Sequence, residues 1–410
     1  MRITYLHQYF NTPSMPGGTR SYEMARRLVS MGHEVNMITS WRESDSRKDW
    51  FLSEEERIDV HWLPVSYSNH MSYNQRIASF FKFAWGAARK AASIPADVVF
   101  ATSTPLTIAL PGVYAARRQR VPMVFEVRDL WPEVPIAMGS LRNPFIRSAA
   151  FKLQNFAYKN SSELVALSPA MAAGIASFGI NAERITEIPN SCDLDIFYPD
   201  EQLRHKFRSA YGINDEKILF VYTGTFGRVN EVSYLAYLAK ALIHDQRFHF
   251  LSIGDGVDYS DVHKLADDLG VLNINMTMLP SIPKTEMSSV LAAADIASSF
   301  VAGIPELEGN SANKFFDGLA AGCCFVVNHG GWQADILKET GAGLRLERDV
   351  VVAASQLQEI ADHPERIVQA KLAARQLAKE RFSRDKLAAQ LEQVLLRAVA
   401  NHSNCDNKRK

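Results

Sequence analysis

Short apolar runs alternate along most of the chain with longer stretches in which apolar residues return every third or fourth position. The short runs predict strands at Ile3–His7, Val35–Ser40, Val60–Val65, Val98–Ala101, Met123–Val127, Leu164–Leu167 and Ile185–Pro189. The longer stretches, starting with Arg20–Met31, predict helices between most of them. A parallel strand needs a crossover to return to the same edge of a sheet, so this alternation predicts an α/β fold with mainly parallel, doubly wound sheets. The polar connector Pro189-Asn190-Ser191-Cys192-Asp193-Leu194-Asp195 interrupts the pattern, and a basic stretch follows to Arg208. Strands then resume at Ile218–Tyr222, Phe248–Ile253, Ile274–Leu279, Ile296–Phe300, Cys324–Val327 and Gly343–Leu346. The expected organisation is two Rossmann-like halves, residues 1–190 and 191–385, with 386–410 as a C-terminal helix and flexible tail fraying from Asn401.

Length agrees with this division, since 410 residues exceed one ordinary core and suit two. A net charge of zero gives no reason to expect a nucleic-acid partner. Cys192, Cys323, Cys324 and Cys405 form no C-x-x-C pair, which fits reduced thiols in a cytoplasmic protein. The N-terminus enters a strand directly, without the apolar core of a signal peptide, and no apolar stretch is long enough to cross a bilayer.

Candidate chemistry gathers where strands end. Asn310-Ser311-Ala312-Asn313-Lys314-Phe315-Phe316-Asp317 passes from polar loop to apolar helix. A helix entry leaves N–H groups unpaired and turns a positive dipole end outward, which suits a phosphate. Lys314 adds a charge, Ser311 and Asn313 offer N–H groups, and Asp317 suits a ribose diol. Phe220-Val221-Tyr222-Thr223-Gly224-Thr225-Phe226-Gly227-Arg228 delivers another cation at a helix mouth, although a solvated loop arginine reads the same way. Gly254, in Ile253-Gly254-Asp255-Gly256, and Ile282, after Leu279-Pro280, could shape a nucleotide pocket. In the first half, Gly17-Gly18-Thr19-Arg20 precedes a helix; paired glycines permit close ligand approach or simply a flexible turn.

Phe125-Glu126-Val127-Arg128-Asp129-Leu130-Trp131-Pro132-Glu133 carries charged residues to a strand end, for a site or for an Arg128–Asp129 or Arg128–Glu133 ion pair. Tyr73–Ser93 reads as a helix with Ile77, Phe80, Phe81, Ala84, Ala88 and Ala91 on one face. Lys82, Arg89 and Lys90 lie opposite, with Phe83 and Gly86 among them, and no Asp or Glu occurs from Val60 to Ala96. This is either an ordinary sheet-covering helix or one that adsorbs to an anionic leaflet. Arg117, Arg118 and Arg120 extend the positive surface.

Four of these segments carry a family resemblance: Gly17-Gly18, Val127–Glu133, Ile188–Asp193, and Asn313–Asp317 with Ala320-Ala321-Gly322. The chain resembles family-four retaining glycosyltransferases of the GT-B fold, two Rossmann-like domains facing each other across a cleft. Within that family it is similar to L-fucosamine and other N-acetylamino-sugar transferases of O-antigen, capsule or exopolysaccharide synthesis. The resemblance implies a UDP-sugar donor, a polyprenyl-diphosphate-linked saccharide acceptor, no metal or other cofactor, and a peripheral place on the inner face of the plasma membrane. It also implies catalytic roles for Arg228, Lys314, Arg128 and Asp129, with Lys82, Phe83, Arg89 and Lys90 toward the membrane.

The sequence departs from the family at several points. Of the family's two glutamates, the second falls on Asp317 and the first on Gly309, leaving Glu306 or Glu308 to substitute through a shifted loop. Arg128 stands at a frequent histidine, and a guanidinium does not shuttle protons near neutral pH. A non-transferring enzyme of the same fold, such as a nucleotide-sugar epimerase, or a two-lobed sugar-binding protein without catalysis are the alternative readings.

Overall fold

The computed structural model describes residues 1–15, 17–43, 46–67, 71 and 73–407, without side chains at 73, 74, 284, 285 and 405–407. The chain forms two compact units, Met1–Pro189 with Asp385–Lys410, and Asn190–Arg384. The first opens with β1 (Arg2–Leu6), α1 (Arg20–Ser30), β2 (Glu34–Trp41), β3 (Phe51–Glu55), β4 (Ile58–Pro64) and α2 (Tyr73–Ser93). It continues with β5 (Val98–Thr102), α3 (Ala109–Gln119), β6 (Met123–Val127), α4 (Glu133–Ala137), α5 (Pro144–Lys159), β7 (Glu163–Ala166), α6 (Pro169–Ala176) and β8 (Ile185–Glu187). The sheet order is β3-β4-β2-β1-β5-β6-β7-β8, parallel except for β3 against β4.

Strand β3 has no counterpart in the sequence reading. Its hairpin turns through Glu56 and Arg57 at φ 45° and 66°, a conformation usually signalled by Asn or Gly. Packing sets the hairpin instead: Phe51 stacks on Trp62 and meets Trp41 edge-on.

Helix α2 also differs from expectation. Its inward face is Phe83, Ala84, Ala87 and Ala91, all buried in the core. Phe83 is fully enclosed, so it is a packing residue and not part of a membrane-facing surface. A Cβ on Gly86 would meet Leu63 Cδ2 at 2.6 Å, so this position also faces the sheet. At about 100° per residue, the expected face was rotated by roughly one position. Phe81, assigned inward, is exposed.

The second unit begins with α7 (Glu201–Ala210), β9 (Ile218–Thr223), α8 (Ser233–Ala241), β10 (Phe248–Ile253), α9 (Tyr259–Asp268), β11 (Met276–Leu279) and α10 (Lys284–Ala293). Next come β12 (Ile296–Ser299), α11 (Asn313–Ala320), β13 (Cys324–Val327), α12 (Trp332–Thr340), β14 (Gly343–Arg345), α13 (Val350–Asp362) and α14 (Pro364–Arg381). Its six strands are all parallel, in the order β11-β10-β9-β12-β13-β14. Cys323 and Cys324 are buried in this unit's cores, and that burial pushes both thiols up to about 12.

Helix α15 (Arg384–Asn407) returns the chain to the first unit. Leu387, Leu391, Val394, Leu395 and Ala398 recur at helical spacing and bury against Ile3, Tyr5, Met24 and Leu28. His33–Glu392 and Arg397–Glu163 contacts tie down its flanks. The expected flexible tail is therefore corrected: the helix persists to Asn407, and residues 408–410 lie outside the described residues. Among the described residues, no helix is long and apolar enough to cross a membrane.

Candidate functional site

The second unit holds a pocket of about 250 Å³ where β9, β10 and β11 end, lined by Gly224, Thr225, Gly254, Asp255, Ser281 and Ile282 among others. Open parallel sheets bind ligands at this carboxyl edge. Glycine is required here by contact: a Cβ on Gly254 would lie 1.8 Å from the Gly224 carbonyl oxygen. A Cβ on Gly256 would lie 2.2 Å from Phe226 O. The loops after β9 and β10 are thereby zipped together, through Gly224 N to Ile253 O (2.9 Å) and Phe226 N to Asp255 O (2.9 Å). Gly254 and Ile282 both line this pocket.

Lys314 enters beside this wall from the first turn of α11. Its Nζ donates to Tyr222 Oη at 2.8 Å and lies 4.0 Å from the same ring's centroid. A Cβ on Gly224 would lie 3.3 Å from Nζ, so the ammonium sits under the β9 loop. Burial holds its pKa down to about 7. No carboxylate among the described residues forms an ion pair with it, so an anionic ligand would restore its charge. Tyr222, which sequence reasoning missed, passes the contact on by donating to Thr225 O at 2.8 Å. The signal was available, as Tyr222 closes the strand that delivers Thr223-Gly224.

The other expected residues divide by what they touch. Arg228 is exposed and pairs with no carboxylate among the described residues. Asn313 is exposed at the start of α11, whose N-terminus carries no side-chain cap. Asp317, one turn beyond Lys314, is partly exposed, and its charge reaches the buried Cys192, helping to raise that thiol's pKa after burial itself. Ser311 is committed structurally: Asn190 N donates to its Oγ at 3.2 Å, and Asn190 Nδ2 to its carbonyl.

The two glutamates offered for the missing position also part company. Glu306 is exposed on a 3₁₀ turn, whereas Glu308 accepts from Gly330 N at 3.3 Å. Asn328 clasps Val301 through both side-chain atoms, and Trp332 Nε1 donates to Asn310 O at 2.8 Å. These contacts fasten the β12–α11 loop to the β13–α12 loop. Between them His329, another residue missed in the sequence, donates from Nδ1 to Gly330 O at 2.6 Å and is held neutral chiefly by burial. Its Nε2 is enclosed and meets no hydrogen-bond partner among the described residues. Asn328-His329-Gly330-Gly331 directly after a strand was the legible cue.

In the first unit, Gly17 is at φ +121°, and a Cβ there would lie 2.6 Å from Asn11 Nδ2, which itself donates to Gly18 O at 3.2 Å. The two glycines form an exposed loop before α1. Arg20 is not free to meet a ligand: it is buried against Glu126 and the Ile188 and Pro189 carbonyls. Arg128 Nη1 donates to His7 Nε2 at 3.2 Å, and Arg128 N to Ser103 Oγ at 3.0 Å. Burial first, then Arg128 and Arg42, keep His7 neutral, and its enclosed Nδ1 has no hydrogen-bond partner among the described residues. Asp129 is exposed overall, but enclosure of its carboxyl raises its pKa against the opposing pull of Arg128 and Thr104. Glu133 accepts from Gln154 (3.0 and 3.2 Å), in place of an Arg128–Glu133 pair. On α2, Lys82 and Arg89 are exposed, while Lys90 is partly covered beside Trp50.

Comparison with known proteins agrees with this architecture. Residues 17–191 match the glycosyl transferase 4-like domain. No curated protein matches the chain. Among solved structures, a sucrose-phosphate synthase from Thermosynechococcus elongatus superposes with a TM-score of 0.78 at 14% identity, covering 98% of this chain and 99% of the other. Anabaena HepE in complex with UDP and glucose gives 0.69 at 18% identity over 96% and 99%. WaaG, a glycosyltransferase involved in lipopolysaccharide biosynthesis, gives 0.68 at 17% over 96% and 99%. The chain thus has a two-domain GT-B fold, and its residues 17–191 resemble the glycosyl transferase 4-like domain.

Proposed function

We propose that the chain is a retaining glycosyltransferase that moves a hexose-type sugar, an N-acetylamino-sugar, from UDP to a lipid-linked saccharide. The product would belong to a surface polysaccharide such as O-antigen, capsule or exopolysaccharide, assembled at the cytoplasmic face of the plasma membrane. The observation that carries this reading is the enclosed Lys314 ammonium, without a carboxylate partner, beside a glycine-walled pocket at a sheet's carboxyl edge. Such a site is short of one anion. The HepE complexes with UDP and with UDP-glucose support a nucleotide-sugar donor on this fold.

In this reaction the bond from the anomeric carbon to the diphosphate breaks while the acceptor oxygen bonds to that carbon on the same face. The acceptor hydroxyl's proton passes to a departing diphosphate oxygen, and free UDP leaves. The protein's task is to stabilise the charge growing on the diphosphate. Lys314, Arg228 and the uncapped N–H groups at Asn313 would do that work. Arg128, Asp129 and His7, with Gly17 and Gly18, would serve the first unit's share of the substrates.

The test is a thermal-shift and product-release panel with UDP-N-acetylamino-sugars, UDP-glucose, GDP-sugars and NAD. Stabilisation and turnover with UDP-sugars, each reduced at least tenfold in Lys314→Ala, is the expected result. Stabilisation by GDP-sugars alone would overturn the choice of base. A folded protein that responds to no nucleotide would overturn the donor site itself.

A further inference from the structure

Charge is distributed unevenly over this neutral chain. Helices α2, α3 and α5 together carry nine Lys and Arg and no Asp or Glu. They cover one face of the first unit's sheet and share one core. Their outward sides also carry large apolar groups: Trp85 is 67% exposed, Phe81 54%, Tyr114 50% and Phe145 84%.

The register of α2 and α3 sorts these residues into levels. Both helices return between parallel strands and so run in the same direction. Gln119 Nε2 donates to Ala91 O at 2.8 Å, 28 residues away, and its Oε1 accepts from Ala96 N at 2.9 Å. That offset puts Trp85 level with Val113 and Tyr114, and Arg89 and Lys90 level with Arg117 and Arg118. An aromatic level thus lies next to a basic one. Arg89 also packs over the Trp85 ring at 4.6 Å.

Between α3 and α5 runs a groove of about 390 Å³, its walls Leu110, Val113, Tyr114 and Phe156, with Arg117 and Arg118 at its rim. Arg117 reaches across to Asn160 Oδ1 at the end of α5, which fixes the cation over the groove. An apolar trough under two guanidinium groups matches one acyl chain and the phosphate of a phospholipid. Trp and Tyr beside Lys and Arg are the residues that settle at a bilayer interface. The absence of acidic residues over three adjacent helices favours an anionic leaflet, whereas protein interfaces are poor in lysine.

We infer that α2, α3 and α5 form a docking face for an anionic phospholipid leaflet, and that the α3–α5 groove seats one lipid chain with its phosphate on Arg117 and Arg118. The inference deepens the membrane side of the proposed function and rests on that reading only for its purpose. Vesicle binding needs no nucleotide, so its failure and the failure of the donor site are separate results.

The experiment is co-sedimentation of the full chain with phosphatidylcholine vesicles, with mixed phosphatidylcholine–phosphatidylglycerol vesicles, and with phosphatidylcholine vesicles containing polyprenyl phosphate. Binding to the phosphatidylglycerol vesicles is expected, weakened at least tenfold by Arg117→Glu/Arg118→Glu and by Trp85→Ser/Tyr114→Ser. Leu110→Trp, which fills the groove, should lower it about threefold with an unchanged melting temperature. Reversal of the exposed Lys206 and Lys379, which belong to the second unit, should leave binding intact. Equal binding by the Arg117/Arg118 variant would overturn the face, and equal binding by Leu110→Trp the seat. Binding confined to the polyprenyl-phosphate vesicles would replace the phospholipid with the acceptor lipid. A change of oligomeric state in the Arg117/Arg118 variant would make this face a protein interface instead.

Discussion

Lys314 donates to Tyr222 Oη at 2.8 Å while standing 4.0 Å over the same ring, and its pKa is held at about 7 by burial. The ordinary value for a lysine is 10.5, so the charged form opposes folding in the unliganded protein. That opposition is complete below about pH 7 and fades as the pH rises toward 10.5. A bound diphosphate reverses the preference and draws a proton onto the amine. UDP-sugar affinity should therefore fall as the pH climbs above 7, by up to about tenfold per unit. A UDP-sugar has no phosphate group titrating in that range, so calorimetry at pH 7.5 and 9, in buffers of different ionisation enthalpy, should show net proton uptake. Lys314→Arg should flatten the profile, and a profile that remains steep in that variant would place the titrating group elsewhere.

Tyr222→Phe keeps the ring under the ammonium but removes both hydroxyl contacts, the one from Lys314 and the one to Thr225 O. A neutral hydrogen bond contributes about 0.5–1.5 kcal/mol net, so donor affinity should drop by roughly two- to tenfold. The informative reading is the split: the KM for donor should rise more than kcat falls, since Tyr222 positions Lys314 and the loop. A loss confined to kcat would mean that the hydroxyl meets the reacting atoms.

Gly254→Ala puts a methyl group 1.8 Å from the Gly224 carbonyl oxygen, a backbone atom that cannot move alone. The two pocket loops must separate, and UDP binding should weaken at least tenfold. Gly227→Ala is the matched control, because its Cβ meets only side-chain atoms at 3.7 and 3.8 Å. Equal affinity in the two variants, measured by titration with UDP, would show that the loop contact is not what shapes the pocket.

What the sequence made legible was whatever local chemistry announces. Gly224 and Gly254 stand at strand ends and Lys314 at a helix entry, where a glycine or a cation has few bland uses, and the structure gathers them. Residues that matter through distant partners were opaque. Ser311 looked like a phosphate ligand because nothing in the sequence shows Asn190 beside it, 121 residues away. Phe83 was misplaced because a long helix with apolar residues all round leaves its buried stripe to be decided by the neighbours, here β4 and α3. β3 was missed since aromatic packing by Phe51, Trp41 and Trp62 stands in for turn residues. The polar run from Asn401 read as a tail because nothing in the sequence shows Arg120, whose carbonyl oxygen lies 3.1 Å from His402 Nε2.

The same blindness hid the ion pair that closes the first unit. Arg20 and Glu126 meet at 2.7 Å with side chains 1% and 0% exposed, and Arg20 also holds the carbonyls of Ile188 (2.9 Å) and Pro189 (2.6 Å), where the chain leaves the unit. Burial alone would raise the Glu126 pKa, but Arg20, together with Arg128 and Thr102, holds it below the ordinary 4.5. The pair therefore stabilises the fold above that value, and the stability is lost as the pH falls through the lower folded-state pKa. Arg20→Met strands a buried carboxylate and two carbonyls and should cost about 3–5 kcal/mol. Arg20→Met with Glu126→Gln removes both charges and should cost clearly less than the two single changes added together. Thermal unfolding of the four proteins between pH 4 and 8 checks both statements. Additive losses would mean that the two side chains stabilise the unit through separate partners, with the guanidinium serving the carbonyls at Ile188 and Pro189 and the carboxylate serving Thr102.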